Sequence, residues 1–387
     1  IRMKGYQFED TQGTFHLKKA ENISYLYFPI AGEAGLKSSL TPNLGGDAKI
    51  DQNTFLLEPV SAENLVNNRN SRNFWCNVKG IGSWSLTGNA AEALSKKFTE
   101  MQDDSEVTAG FMWQKTTRES KKYQLRGEIL SFIPVEKNVE VMLVTITNTG
   151  RMAQTVTPTA AIPLYGRSAD NIRDHRHVTS LLHRIETTDT GVLVTPTLSF
   201  DERGHQVNHM TYYCVGWSGN GEKPVDFYPT AEDFVGEGGN FERPYAIVKN
   251  AEGVKAGTKI EGLEAVGGLH FSEITLEPEE ECSYLIFTGI TEDIQEIRNL
   301  SKTYTTREMV LEELEKTKAY WQEKVNVAYH TGDSDFNQFM HWVSFQPILR
   351  RIYGCSFLPH HDYGKGGRGW RDLWQDCLAL LIMNPDG

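Results

Sequence analysis

The sequence predicts a multidomain β + α protein: a large antiparallel β-sandwich, then a helical linker, then the first helices of an all-α domain. Three observations predict it. Most of the chain up to about Gly289 is written in short β-branched or aromatic runs separated by turn residues. Near Thr291 the apolar period changes from two to about 3.6. At 387 residues the chain also exceeds the size of one ordinary domain. The expected boundaries are 1–290 for the sandwich, 291–330 for the linker and 331–387 for the start of the helical domain.

In the first region, "VEVMLVTITNTG" (Val139–Gly150) is apolar and β-branched and closes on an Asn-Thr-Gly turn. "GVLVTPTLSF" (Gly191–Phe200) and "CSYLIFTGI" (Cys282–Ile290) read as further strands. "TPNLGGD", "SGNGEK" and "VGEGGNF" punctuate them as turns. Many strands with hardly a helical period predict a sandwich. Only "SAENLVNN" and "GNAAEALSKKFTEM" carry a helical signal here. Trp75 and Trp84 are expected in the sandwich core, and the ionic run Gly166–His177 in a surface or interdomain loop.

In the second region, "TTREMVLEELEKTKAYWQEKV" (Thr305–Val325) places Val310, Leu314, Thr317, Trp321 and Val325 on one stripe, with Glu312 and Lys316 at i,i+4 on the wet side. This is a connector helix expected to lie on a domain surface. A second start follows in "TGDSDFNQFMHWVSFQPILRRIYG", with Asp333, Ser334 or Asp335 as cap. Phe336, Phe339, Met340, Val343 and Pro347 fall on one face, and Pro347 is expected to kink or interrupt the helix. Gly354 opens a loop, "GCSFLPHHDYGKGGRGW", and a third helix is expected to begin near Arg371.

Composition excludes several functions. A net charge of −12 argues against a nucleic-acid coat, which needs dense Lys and Arg. No run of about 18 apolar residues exists, so no transmembrane helix is expected. Five scattered cysteines without a CxxC pair predict neither a disulfide framework nor a zinc site, and a reducing cytoplasm is the expected compartment. Cys377, within an apolar helical run, is expected to be a small buried hydrophobe. The chain opens "IRMKGYQFED", without an initiator Met or signal-peptide pattern, and ends "LLIMNPDG"; both ends are expected to be cut from something larger.

The chemistry concentrates in "GKGGRGWRDLWQDCLALL" (Gly364–Leu381). Its glycines lack the Gly-Lys-Ser/Thr of a phosphate-cradling loop and follow a helix, not a strand. His360, His361 and Asp362 are adjacent, so they point apart, and no third ligand stands at helical spacing; no metal is expected. No nucleophile elbow supports a Ser-His-Asp arrangement. Carbohydrate chemistry fits the residue types. Asp372 and Asp376 are i and i+4 on one helix face, Arg371 and Gln375 form the adjacent row, and Trp370 and Trp374 offer stacking surfaces. On the residues alone a second reading stands beside it: Asp372 as a helix cap and Asp376 paired to Arg371 or Arg368.

"GRGWRDLWQDCLALL" resembles the Arg-Asp-x-x-Gln-Asp signature of the inverting β-glycan phosphorylases, the cellobiose and chitobiose phosphorylase family (glycoside hydrolase family 94). "FNQFMHWVSFQ" resembles the first barrel helix of that family, and the order of sandwich, linker and helices matches its N-terminal half. Within the family, "LYGRSADNIRDHRHV" and "LPHHDYGKGGRGWRDLWQD" look most like the branch acting on β-1,2-linked gluco-oligosaccharides. The resemblance implies a supersandwich followed by an (α/α)6 barrel, here incomplete. It implies phosphorolysis of a β-linked gluco-oligosaccharide to α-glucose 1-phosphate, with inorganic phosphate as co-substrate, no cofactor, and the remainder of the barrel as partner.

Residue by residue, the resemblance implies that Asp372 holds hydroxyls of the donor sugar. The family arginine that shares this work falls at Gly366, so Lys365 or Arg368 would substitute, though a point charge and a planar fork are not equivalent. Arg351 or Arg350 is the candidate phosphate ligand. The general acid would lie beyond Gly387, and the chain alone would be inactive. Two rivals share the architecture or part of it: a glucoamylase-like inverting hydrolase, and a non-catalytic glycan-binding module.

Overall fold

The computed structural model describes residues 5–23, 26–60, 71–201, 204–354 and 370–383. Its centre is an antiparallel sheet of 11 strands that runs from Tyr6–Phe8 at one edge to Lys259–Glu261 at the other. Val139–Asn148, Glu281–Thr291 and Thr211–Ser218 lie side by side in its middle. Val139–Asn148 is buried along its whole length, because alternate residues enter different layers. Met142, Val144 and Ile146 face the sandwich core, while Val139, Val141 and Leu143 face helices on the other side.

A second sheet of six strands packs on the inner face. Its strands Asn73–Val78, Gln154–Leu164 and Ala265–His270 contribute Phe74, Cys76, Val156, Ile162 and Leu269 to the shared core. Trp84 lies in that core and donates its indole N–H to Asp103 (2.9 Å). Trp75 points to the outer face of the smaller sheet and is 2% exposed. Both tryptophans are therefore core residues, as expected from sequence. Antiparallel sheets, a face-to-face core and appended helices make up the expected fold class.

Eight α-helices accompany the sheets among the described residues: α1 (Ala91–Ser95), α2 (Arg176–Ser180), α3 (Ala231–Val235), α4 (Tyr245–Lys249), α5 (Ile294–Thr303), α6 (Arg307–Lys324), α7 (Ser334–Tyr353) and α8 (Trp370–Met383). Helices α3 and α4 cover Trp75. Ile297 and Leu300 of α5, with Val310 and Leu314 of α6, close the outer face of the large sheet. The expected stripe of α6 is the buried one, down to Trp321 and Val325. Lys316 reaches Glu313 (3.5 Å) in place of Glu312.

Several local expectations change. "SAENLVNN" lies outside the described residues. The helix expected across 88–101 stops after Ser95, since Leu94, Phe98 and Met101 remain exposed and offer no packing to propagate it. Gly191–Phe200 breaks into Gly191–Val194 and Leu198–Asp201 around Pro196, which cannot donate to a ladder. Helix α7 runs unbroken through Pro347. Its buried face carries Gln338, Phe345, Ile348 and Leu349, not Phe336, Phe339 and Val343, because the β part offers its partners on that side. Cys377 is exposed, on an α8 face shared with Trp374, Leu378 and Leu381.

A four-stranded sheet (Phe28–Leu57) is bolted to the large one by a fully buried ion pair. The Arg72 guanidinium donates to both oxygens of Glu140, and to the carbonyls of Gly46 (2.9 Å) and Asp47 (3.3 Å). Ser38 donates to Glu140 as well (2.5 Å). Gly46 has φ of 115°, and a Cβ there would sit 1.8 Å from the Ser39 carbonyl, so only glycine fits this turn. Glu140→Gln, which leaves the arginine uncompensated, is expected to cost about 3–5 kcal/mol in denaturant unfolding. The double replacement Arg72→Met/Glu140→Leu should recover most of that loss; an equally unstable double variant would refute the account.

Candidate functional site

The candidate site lies where α7 ends and α8 begins. Helix α7 starts at Asp333, whose carboxylate accepts from the Phe336 N–H (3.1 Å). The turn of the first hairpin then grips it. Gly13 donates its N–H to Gln338 (2.9 Å), and its carbonyl accepts from the Trp342 indole (2.8 Å). Gly13 has φ of 85° and lies against the Phe111 ring, so this clamp too requires glycine. Phe111, Trp321, Phe345, Ile348 and Met383 form the apolar cluster beneath.

The last turn of α7 is held from the β part. Lys37 donates to the Ile352 carbonyl (3.0 Å), and the buried Tyr353 hydroxyl lies 2.9 and 2.7 Å from the carbonyls of Ile30 and Ser38. Arg351 forms a two-pronged pair with Glu33 (2.9 and 2.6 Å), which also accepts from Tyr320 (3.0 Å). Partial burial pushes the Glu33 carboxyl up, but Arg351, Tyr320 and Lys324 outweigh it and hold it below the usual carboxylate range. The pair keeps its charges at neutral pH.

Arg350, one position earlier, turns toward α8, with a guanidinium nitrogen 3.6 Å from the Asp376 carboxylate. Asp376 is 8% exposed. Trp370 (81% exposed) and Trp374 (59%) stand open, as do Arg371 and Gln375. Lys365 and Arg368 lie outside the described residues, as do the His360-His361-Asp362 cluster and the side chain of Asp372. The structure thus brings Arg350, Arg351 and Asp376 to one junction, with Arg371, Trp370, Trp374 and Gln375 on the exposed rows of α8. Among the described residues no group of three or more His, Cys, Asp or Glu is arranged to hold a metal, and no helix is long and apolar enough to cross a membrane.

Sequence reasoning missed Glu33, Tyr320 and Gly13. They meet α7 across separations of up to 329 residues, and no local pattern signals such contacts. It read the ionic run Gly166–His177 as a surface or interdomain loop, whereas the run is half-buried and includes the short helical turns Ala169–Arg173 and the start of α2. Arg167 pairs with Glu264 (2.6 Å), and Arg176 with both Glu264 (3.5 Å) and Glu58. The alternation of charge with Ser, Ala and Ile was the available signal. A polar hollow of about 740 Å³ opens elsewhere, lined by Glu222, Lys223, Glu273, Glu281, Arg307 and Glu308; its lining includes none of the expected site residues.

His183 sits beside this ionic group, and burial followed by the Arg167 charge pushes its pKa down to about 4. The folded protein therefore keeps it neutral while the unfolded chain protonates it near 6.5. Its contribution is complete above 6.5 and disappears as pH falls through 4, a loss of about 3 kcal/mol. Glu264, held low by its arginines despite burial, adds loss in the same direction at lower pH. His183→Gln is expected to flatten the dependence of unfolding free energy on pH between 6.5 and 4; an unchanged slope would refute a buried neutral imidazole.

The family model described as "Glycosyl hydrolase 94, supersandwich domain" matches residues 59–307. A 3-O-beta-D-glucopyranosyl-beta-D-glucuronide phosphorylase of Paenibacillus borealis is 28% identical over 169 residues, which is 42% of this chain and 20% of that one. A solved structure described as a kojibiose phosphorylase from the human microbiome aligns with a TM-score of 0.45 at 9% identity, covering 90% of this chain and 43% of its own. A bacterial glucoamylase complexed with acarbose aligns at 0.40 and 10% identity, covering 88% and 42%. The chain spans a fifth of that curated relative and less than half of those two solved ones.

Proposed function

Because the chain belongs to the glycosyl hydrolase 94 supersandwich family, we propose that it is part of an inverting glycoside phosphorylase. The family match over 59–307 carries this reading. The phosphorylase identity of the Paenibacillus relative supports it, as does the Arg-Asp-x-x-Gln-Asp run at the start of α8 beside the arginines of α7. The substrate we assign is a β-linked gluco-oligosaccharide, of the β-1,2 type by sequence resemblance, and the product is α-glucose 1-phosphate. Helices α7 and α8 are then the opening of an α/α barrel, and their exposed apolar faces, Phe336, Phe339 and Val343 on one and Trp374, Leu378 and Leu381 on the other, support that reading.

The chemistry is a single displacement. Phosphate attacks the anomeric carbon from the face opposite the glycosidic oxygen, and a carboxylic acid protonates the leaving oxygen. No general base is needed, because phosphate is already an anion at neutral pH. It does need cations to gather its charge, and Arg350 and Arg351 are the candidates. Asp372 would hold hydroxyls of the donor sugar. Lys365 or Arg368 would assist it, and Trp370, Arg371 and Gln375 would form the rest of that wall. The acid is assigned to a residue outside these 387.

The complete enzyme is expected to cleave β-1,2-gluco-oligosaccharides only when phosphate is present, releasing glucose 1-phosphate, whereas the 387-residue chain releases none. Phosphate-independent release of glucose would instead identify a hydrolase of the glucoamylase kind, and glycan binding without any turnover a binding module. In the complete enzyme, Asp372→Asn is expected to lower kcat about a hundredfold or more with little change in melting temperature. A thermolabile but fully active variant would assign Asp372 to capping its own helix.

A further inference from the structure

A second hollow lies at the edge of the smaller sheet, beside the strand Gly82–Ser85, and is lined by no residue of α5–α8. Its lining comes from the turn before that strand, from α1, from Lys122 and Tyr123, and from the segment that runs from Glu242 into α4. The Ala91 N–H donates to the Glu242 carbonyl (2.8 Å) and ties two of these segments together. The hollow measures about 420 Å³, within the roughly 300–1,000 Å³ common to small-molecule sites.

The lining combines two chemistries. Glu92 is the polar hub: its carboxylate accepts from Lys96 (2.6 Å) and Lys122 (2.7 Å), and the Tyr123 hydroxyl lies 2.7 Å away. Partial burial raises the Glu92 carboxyl, but Lys122, Lys96 and Tyr123 outweigh it and bring it down to about 2, so it is charged at neutral pH. Lys122 also donates to the Tyr123 hydroxyl (3.1 Å), which leaves its third N–H for another acceptor. The Arg243 guanidinium makes no hydrogen bond or ion pair among the described residues. Ile81, Pro244 and Val248 supply the apolar part, and Ile81 and Val248 are each 40% exposed. The Trp75 indole borders the hollow as well, and its N–H finds no acceptor among the described residues.

Single apolar side chains on a surface are ordinary. These border one hollow together with donors that Glu92 already holds in place, so a ligand would order little on binding. Glu92 and Glu242 balance Lys122 and Arg243 in the lining. Balanced charge disfavours a small anion, which needs a surplus of cations, and fixed charges disfavour a hydrocarbon. A saccharide meets both conditions, because its hydroxyls take hydrogen bonds and its C–H faces cover apolar side chains.

We propose that this hollow binds an uncharged oligosaccharide, with Lys122 and Arg243 donating to hydroxyls and Ile81, Pro244 and Val248 covering the face of a ring. That the sugar is a gluco-oligosaccharide rests on the function proposed above; that it is an uncharged saccharide rests on the hollow alone. The sandwich then holds glycan at residues that take no part in the chemistry.

Calorimetric titration of the complete enzyme tests it, in phosphate-free buffer with β-1,2-glucotriose as the probe. Arg243→Gln and Lys122→Gln, both at exposed positions, are each expected to weaken one class of binding about tenfold or more. Val248→Glu, which puts a charge on the apolar part, should abolish that class. In all three variants the gluco-oligosaccharide KM and kcat should stay within about twofold, since no transition-state contact is removed. Inorganic phosphate titrated alone should not compete. Binding isotherms identical to those of the unaltered enzyme would overturn the proposal. So would a KM that rises in step with the weakened binding, which would place these residues at the site of turnover. Competition by phosphate would make the hollow an anion site instead. Failure of the phosphorolysis reading is seen separately, as glucose released from the probe by the unaltered enzyme without phosphate.

Discussion

The buried pair between Arg72 and Glu140 is the constraint on which the placement of everything else depends. Glu140 stands on one of the central strands of the large sheet, in a fully buried stretch beside Val139, Val141, Met142, Leu143 and Val144. A lone charge there would be expensive, and the arginine alone would not repay the desolvation of both groups. The remaining donors and acceptors do so: Ser38 and the carbonyls of Gly46 and Asp47 complete the shell. Those groups belong to the four-stranded sheet, so satisfying one carboxylate locks that small sheet against the large one.

The small sheet is in turn the seat of α7. Ser38, which donates its hydroxyl to Glu140, offers its carbonyl to Tyr353 at the end of that helix. Ile30, from the neighbouring strand, offers another. Glu33 and Lys37, in the turn between those strands and at the start of the next, reach Arg351 and the Ile352 carbonyl. A continuous polar path thus runs from the middle of the sandwich to the last turn of α7. The clamp of Gly13 on Gln338 and Trp342 secures the helix nearer its start. A sandwich remote from the proposed chemistry thereby decides where the arginines of α7 stand.

Contiguous and long-range features of the site differ in how far the sequence reveals them. The Arg-Asp-x-x-Gln-Asp run and its exposed tryptophans were legible because they are contiguous, and a helix brings i and i+4 together by its own geometry. The stripe of α6 was legible for the same reason. The buried face of α7 was not: its aromatic residues lie all round the helix, and only the position of Phe111 and Gly13 selects the side that packs. Nor was the ionic group of Arg167, Arg176, Glu58 and Glu264, whose members are up to 206 positions apart.

By itself the sequence determined the kind of each segment. Strand or helix follows from the period of apolar residues, and turns from glycine and asparagine. The tertiary structure alone decided which partner each charge meets. Arg350 and Arg351 are chemically identical and adjacent, and no local rule separates them. Only the arrival of Glu33 on one side of α7 and Asp376 on the other does. An ion pair is a property of two places in space, and the chain records only one of them at a time.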